Sequence, residues 1–206
     1  VAQFRAFVEQ SAYKPDTRSS LDGLPNHPVV NVTWYDALTY CDWLTTQLPQ
    51  LPNLPAELRR GWRVTLPSEA EWERAARGTD GRIYPWGDQF DTEKANTRET
   101  DIGGTSAVGC FPAGASPCGA LDMSGNVWEW TRSLWGKDSG KPEFVYPYLE
   151  RLQERENLKA GREILRVLRG GSWGIDSRYA RCAFRGRNYP DGRYDLIGFR
   201  VSLSPL

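Results

Sequence analysis

Val1, Phe4, Phe7 and Val8 recur at helical spacing, so the chain opens inside an amphipathic helix. A polar stretch with Pro and Gly, from Ser11 to His27, reads as a loop, and Pro28–Val32 reads as a short strand. Thr33 stands as an N-cap with Asp36 three residues on, and Trp34, Leu38, Cys41 and Leu44 form the buried stripe of the helix that follows. That stripe puts Cys41 in the core, as an inert thiol. After a proline-bearing loop over 47–57, Trp62–Leu66 predicts a strand. Ser68 and Glu71 then form a second capping box, with Trp72, Ala75 and Ala76 facing inward and Gly78 ending the helix.

From Gly81 to Pro117 the chain is rich in Gly, Asp, Asn and Thr and has few apolar runs. So long a structureless stretch needs something to fix it. A bound cation with oxygen ligands is one means, with Asp88, Asp91, Asn96, Glu99 and Asp101 as available oxygens; solvated loop carboxylates are the alternative. Leu121–Trp130 is dense in large side chains, and 137–163 is a charged insertion, weakly helical from Tyr148 to Leu158. Ile164–Arg169 reads as a strand, Gly170-Gly171-Ser172-Trp173 as a turn and Ile197–Leu203 as a final strand. Helices early, short strands late and long loops between them predict an α+β fold with a small antiparallel sheet, in one domain over 1–206.

With 26 basic and 26 acidic residues, the formal charge of +0 gives no electrostatic case for nucleic acid or a membrane surface as partner. No apolar run approaches a membrane span of roughly 20 residues. The opening in mid-helix implies that an upstream segment has been trimmed. Cys41, Cys110, Cys118 and Cys182 show no zinc spacing and no disulfide framework, so reduced thiols and a cytoplasmic location are expected. His27, the sole histidine, sits before Pro28 and reads as a turn residue.

Six segments, in this order, carry a family resemblance: Pro28–Trp34, Arg63–Glu73, Tyr84-Pro85-Trp86-Gly87, Gly125–Trp130, Arg169–Trp173 and Gly198-Phe199-Arg200. Together they resemble the formylglycine-generating-enzyme-like (sulfatase-modifying-factor) family. The resemblance implies a C-type lectin-like fold with a small twisted sheet, helices and long loops, commonly carrying calcium. Gly125-Asn126 is a turn signal. It would expose carbonyls between Asp122 and Glu129, and these positions match the family's calcium motif: Asp122 and Glu129 by side chain, Gly125 and Val127 by carbonyl. The alternative is that Glu129 pairs with an arginine under the tryptophans. Trp128, Trp130, Trp135 and Trp173 read as core and scaffold.

Catalytic members of the family use two cysteines after the Arg-Gly-Gly-Ser segment to bind copper. Here Ile175 stands about where the first is expected, none stands at the second, and Cys182 matches a non-catalytic position. One thiol does not make a two-thiolate copper(I) site, so no copper is expected.

Between frame residues, the stretch 174–196 carries Gly174, Ile175, Asp176, Tyr179, Phe184, Gly186, Asn188, Tyr189, Gly192, Tyr194, Asp195 and Leu196, with no hydrophobic period. Tyr, Gly, Asn and Asp also dominate evolved paratopes. The stretch resembles the variable region of proteins diversified by diversity-generating retroelements, here 171–200; an ordinary loop pair is the other reading. Arg178, Arg181, Arg185, Arg187 and Arg193 are expected to brace the loops against Asp176, Asp191 and carbonyls. The expectation is a non-catalytic protein that binds a macromolecular ligand, a protein in particular, through these residues. An oxidase-type enzyme and a regulatory domain of a larger signalling protein are the alternatives.

Overall fold

The structure is a computed structural model that describes residues 1–51, 53–146 and 152–205. Its helices are α1 (Ala2–Gln10), α2 (Trp34–Gln47), α3 (Glu69–Arg77) and the short α4 (Leu152–Arg155). Its strands are β1 (Trp62–Thr65), β2 (Trp128–Gly136), β3 (Leu165–Arg169), β4 (Gly186–Asn188), β5 (Ile197–Phe199) and β6 (Ser202–Pro205). Both capping boxes form: Thr33 with Asp36 at α2, and Ser68 with Glu71 at α3. Gly78 ends α3 at φ 65°, the left-handed conformation that glycine adopts without a Cβ clash.

Two sheets result. One pairs β1 with β6; the other has the order β4-β3-β2-β5. The larger sheet is mixed, because β5 runs parallel to β2 with Trp128 opposite Ile197, which corrects the antiparallel expectation. Three further expectations are revised. Pro28–Val32 is not a strand: Asn31 is left-handed at φ 58°, and Asn31 and Trp34 donate their amides to the carbonyls of Tyr194 and Pro190. Ile197–Leu203 divides into β5 and β6, which lie in different sheets. Residues 81–117 are irregular as expected, but two short 3-10 turns punctuate them, at Arg98–Thr100 and Pro112–Gly114. Of the expected helix over 148–158, α4 is present, while Tyr148 to Arg151 lie outside the described residues.

The core lies between α2 and the large sheet, where Trp34, Cys41, Leu66, Trp130, Leu168 and Ile197 pack together. Both buried indoles find acceptors: Trp34 Nε1 donates to Thr131 O at 2.8 Å, and Trp130 Nε1 to Val32 O at 3.1 Å. A second cluster joins Phe4 and Phe7 of α1 to Tyr40 of α2, and a third joins Trp72 of α3 to Met123 and Cys182.

Candidate binding face

All four strands of the large sheet contribute to a solvent-facing groove of about 300 Å³. Its floor is Trp128 of β2, Leu168 of β3, Gly186 of β4 and Ile197 of β5. The pairing explains the convergence, because Leu168 lies opposite Gly186 and Trp128 opposite Ile197. Tyr179 and Phe184 stand on one side, and Tyr194 and Leu196 also line it. Phe184 leans on Trp128 with ring centroids 5.9 Å apart, and Tyr179 meets Phe184 edge-on at 4.9 Å. Around the groove, Tyr179, Tyr189 and Tyr194 are 39, 49 and 51% exposed.

The backbone beneath these side chains is held by the scaffold. Trp34 N donates to Pro190 O at 2.9 Å, Trp128 N to Leu196 O at 2.8 Å and Cys182 N to Ile83 O at 2.8 Å. Arg169, fully buried, donates to the carbonyls of Cys182 and Ala183 and pairs with Glu69 and Glu73. Arg185 grips Glu69 through two nitrogens, and Arg193 pairs with Asp16 and Asp36. Arg178 pairs with Asp176 and holds its carboxyl below the usual carboxylate range. Arg181 donates to the carbonyl of Arg178. The arginines therefore brace the loops as expected, but Glu69, Asp16 and Asp36 take the role foreseen for Asp191. Arg187 lies over the Trp135 ring at 5.2 Å.

Of the twelve residues singled out in 174–196, the structure brings Tyr179, Phe184, Gly186, Asn188, Tyr194 and Leu196 to the groove. Tyr189 and Asp195 are exposed outside its lining. Ile175 and Asp176 are half-buried and outside the lining: Ile175 O accepts from Arg98 N, and Asp176 caps the turn Ser177–Tyr179. Gly174 and Gly192 are half-buried and pack against Leu196 and Tyr194. Gly186 differs from the rest, being buried; a Cβ there would lie 3.0 Å from the Trp128 ring and 3.2 Å from Leu168 Cβ. It is a fixed part of the floor. Trp128, read from sequence as scaffold, also forms the floor. Its place near the surface is set by β2 pairing with β5, which no local pattern announces.

Of the expected calcium residues Asp122, Gly125, Val127 and Glu129, the two carboxylates already have partners. Glu129 accepts from Trp72 Nε1 at 2.6 Å and from two nitrogens of Arg200. Asp122 accepts from Gly109 N at 2.7 Å, and burial raises its carboxyl pKa. Gly125 and Asn126 turn at φ 78° and 63°, as the turn signal required. A divalent cation here would sit against a guanidinium that already neutralises Glu129, so this donor set does not fit calcium. Among the described residues, no group of three or more His, Cys, Asp and Glu side chains is placed to hold a metal. All four cysteines are free; Cys41 and Cys182 are buried, Cys110 and Cys118 exposed. His27 bonds Thr105 across 2.9 Å, a structural contact between loops.

The sequence matches the sulfatase-modifying factor enzyme 1-like domain over residues 1–204. The chain belongs to this family. Its α+β architecture is the C-type lectin-like fold of formylglycine-generating-enzyme-like proteins. Three relatives show the range of the family. The hercynine oxygenase of Mycolicibacterium thermoresistibile is 34% identical over 86% of this chain and 36% of its own length. The formylglycine-generating enzyme of Mus musculus is 31% identical over 91% of this chain and 47% of its own. An inactive C-alpha-formylglycine-generating enzyme 2 from Mus musculus is 35% identical over 86% and 49%. The chain thus spans about a third to a half of the length of these relatives. Among solved structures, variable protein 1 of Treponema denticola superposes on the whole chain and on 81% of its own, with a TM-score of 0.71 at 21% identity. Among the described residues, no helix is long and apolar enough to cross a membrane.

Proposed function

We propose that this domain binds a macromolecular ligand, a protein in particular, on the face formed by 174–196, and works without the redox centre of its catalytic relatives. The observation that carries this reading is the division of labour within the stretch. Its backbone is fixed by scaffold hydrogen bonds, while Tyr179, Tyr189 and Tyr194 project into solvent around an aromatic groove. Rigid aromatic side chains of this kind supply large contact area at little entropic cost. The groove is small, and exposed tyrosine area continues beyond it, which favours a protein surface over a small molecule enclosed in a pocket. The likeness to a protein named as variable supports the further reading that these positions are diversified.

The enzymatic alternative draws on the names of two relatives. Against it stands the residue set. Ile175 stands about where the first cysteine is expected, and Cys182 is fully buried with its thiol pKa pushed up to about 12 by burial. A protonated, buried thiol is neither a nucleophile nor a ready copper ligand.

Two measurements test the proposal. A ligand captured on the immobilised domain is expected to bind at least tenfold more weakly to a Tyr179→Ala/Tyr194→Ala variant with an unchanged melting temperature, the loss usual for central aromatic anchors. Equal binding by that variant would place the site elsewhere. A copper(I) titration is expected to show no stoichiometric uptake, and copper-dependent oxidation of a cysteine peptide would restore the enzymatic reading.

A further inference from the structure

The turn between Asp122 and Glu129 is wound to receive a positive charge. Asp122, Gly125 and Asn126 are all left-handed, at φ 54°, 78° and 63°, so the chain curls between its two carboxylates. Glu129 is 5% exposed. A carboxylate so buried is costly unless a cation meets it. The group that meets it comes from the far end of the chain. Arg200, the residue after β5, donates Nε to Glu129 Oε2 at 2.5 Å and Nη2 to Glu129 Oε1 at 2.7 Å. The same Nη2 lies 3.1 Å from the carbonyls of both Leu121 and Asp122. One guanidinium therefore spans both ends of the turn, and Trp72 Nε1 takes a further direction at Glu129.

We infer that Arg200 is the resident cation of this turn and stands in the place where the sequence led us to expect calcium. The planar fork of donors suits the task, since it meets a carboxylate through two bonds and still reaches the carbonyls. A calcium ion added beside it would bring two more positive charges with only Asp122 left to offset them. The arrangement also has a mechanical consequence. β5 supplies Ile197 to the groove floor and Arg200 follows it directly, while Glu129 follows the floor residue Trp128, so the ion pair fastens the turn to the paired β2 and β5 beside the groove.

The test uses calcium chloride and a chelator as the only additions, read by thermal unfolding. Neither calcium nor the chelator is expected to shift the melting temperature of the wild-type domain. Arg200→Gln is expected to lower the melting temperature by roughly 10 °C, because it strands a buried carboxylate, and calcium is expected to restore part of that loss. Arg200→Lys, which keeps the charge, is expected to fall between. A saturable rise of the wild-type melting temperature with calcium that the chelator reverses would overturn the inference, and so would a folded Arg200→Gln variant indifferent to calcium. The wild-type titration decides the matter on its own if Arg200→Gln does not fold.

Discussion

Cys182 illustrates how environment decides what a side chain can do. It is the only cysteine between Arg169 and Arg200, and it packs against Trp72 and Met123 with no exposed surface. Burial pushes its thiol up to about 12, and does the same to Cys41 in α2. Cys110 and Cys118 are exposed, and the Ser116 hydroxyl beside Cys118 lowers its thiol pKa. A thiol reagent at neutral pH is therefore expected to modify Cys110 and Cys118 in the native domain, and Cys41 and Cys182 only on unfolding. The two buried thiols also set a pH dependence. In the unfolded chain a thiol ionises near about 8.5. Folding holds these two in the neutral form, so their contribution to stability is complete below that value and is lost as pH rises toward about 12. The melting temperature is expected to decline across this alkaline range, and to decline less in Cys182→Ala.

At the scale of elements, local rules and long-range rules can be separated. The capped helices are legible because each start signal is spelled out within four residues. Ser68→Ala removes one acceptor of a complete box and is expected to cost about 1 kcal/mol, seen as a fall of about 2–4 °C in the melting temperature. Gly125→Ala is expected to cost more, since a Cβ there would lie 2.2 Å from the Asn96 carbonyl oxygen at a backbone φ of 78°. β2 was not legible as a strand. It buries Glu129, Thr131 and Ser133 as well as Trp130 and Leu134, so burial does not alternate along it and the run Thr131-Arg132-Ser133 interrupts its apolar pattern. The break between β5 and β6 was hidden for a related reason: Arg200 is drawn off to Glu129, a partner 71 residues away. Pro28–Val32 carried the apolar content of a strand, and its single left-handed residue, Asn31, broke the extended path.

At the scale of the molecule, the family and the α+β class could be read from sequence, because motif order carries them; of the twelve residues singled out in 174–196, Tyr179, Tyr189, Tyr194 and Asp195 are exposed and the others are half-buried or buried. The groove could not be read that way. Its floor comes from four strands, and its central residue, Trp128, looked like scaffold until the parallel pairing with Ile197 placed it. Gly186 shows the converse: it has the composition of an adaptable position but the geometry of a fixed one. The proposed binding function requires a fixed floor and backbone that tolerate change at the exposed rim. The direct measurement is the fraction of protease-resistant, folded domains in a library randomised together at Tyr179, Tyr189, Tyr194 and Asp195, beside a second library randomised at Trp128, Leu168, Gly186 and Ile197. Most members of the first are expected to survive and few of the second. Comparable loss of folded protein in both libraries would contradict the account.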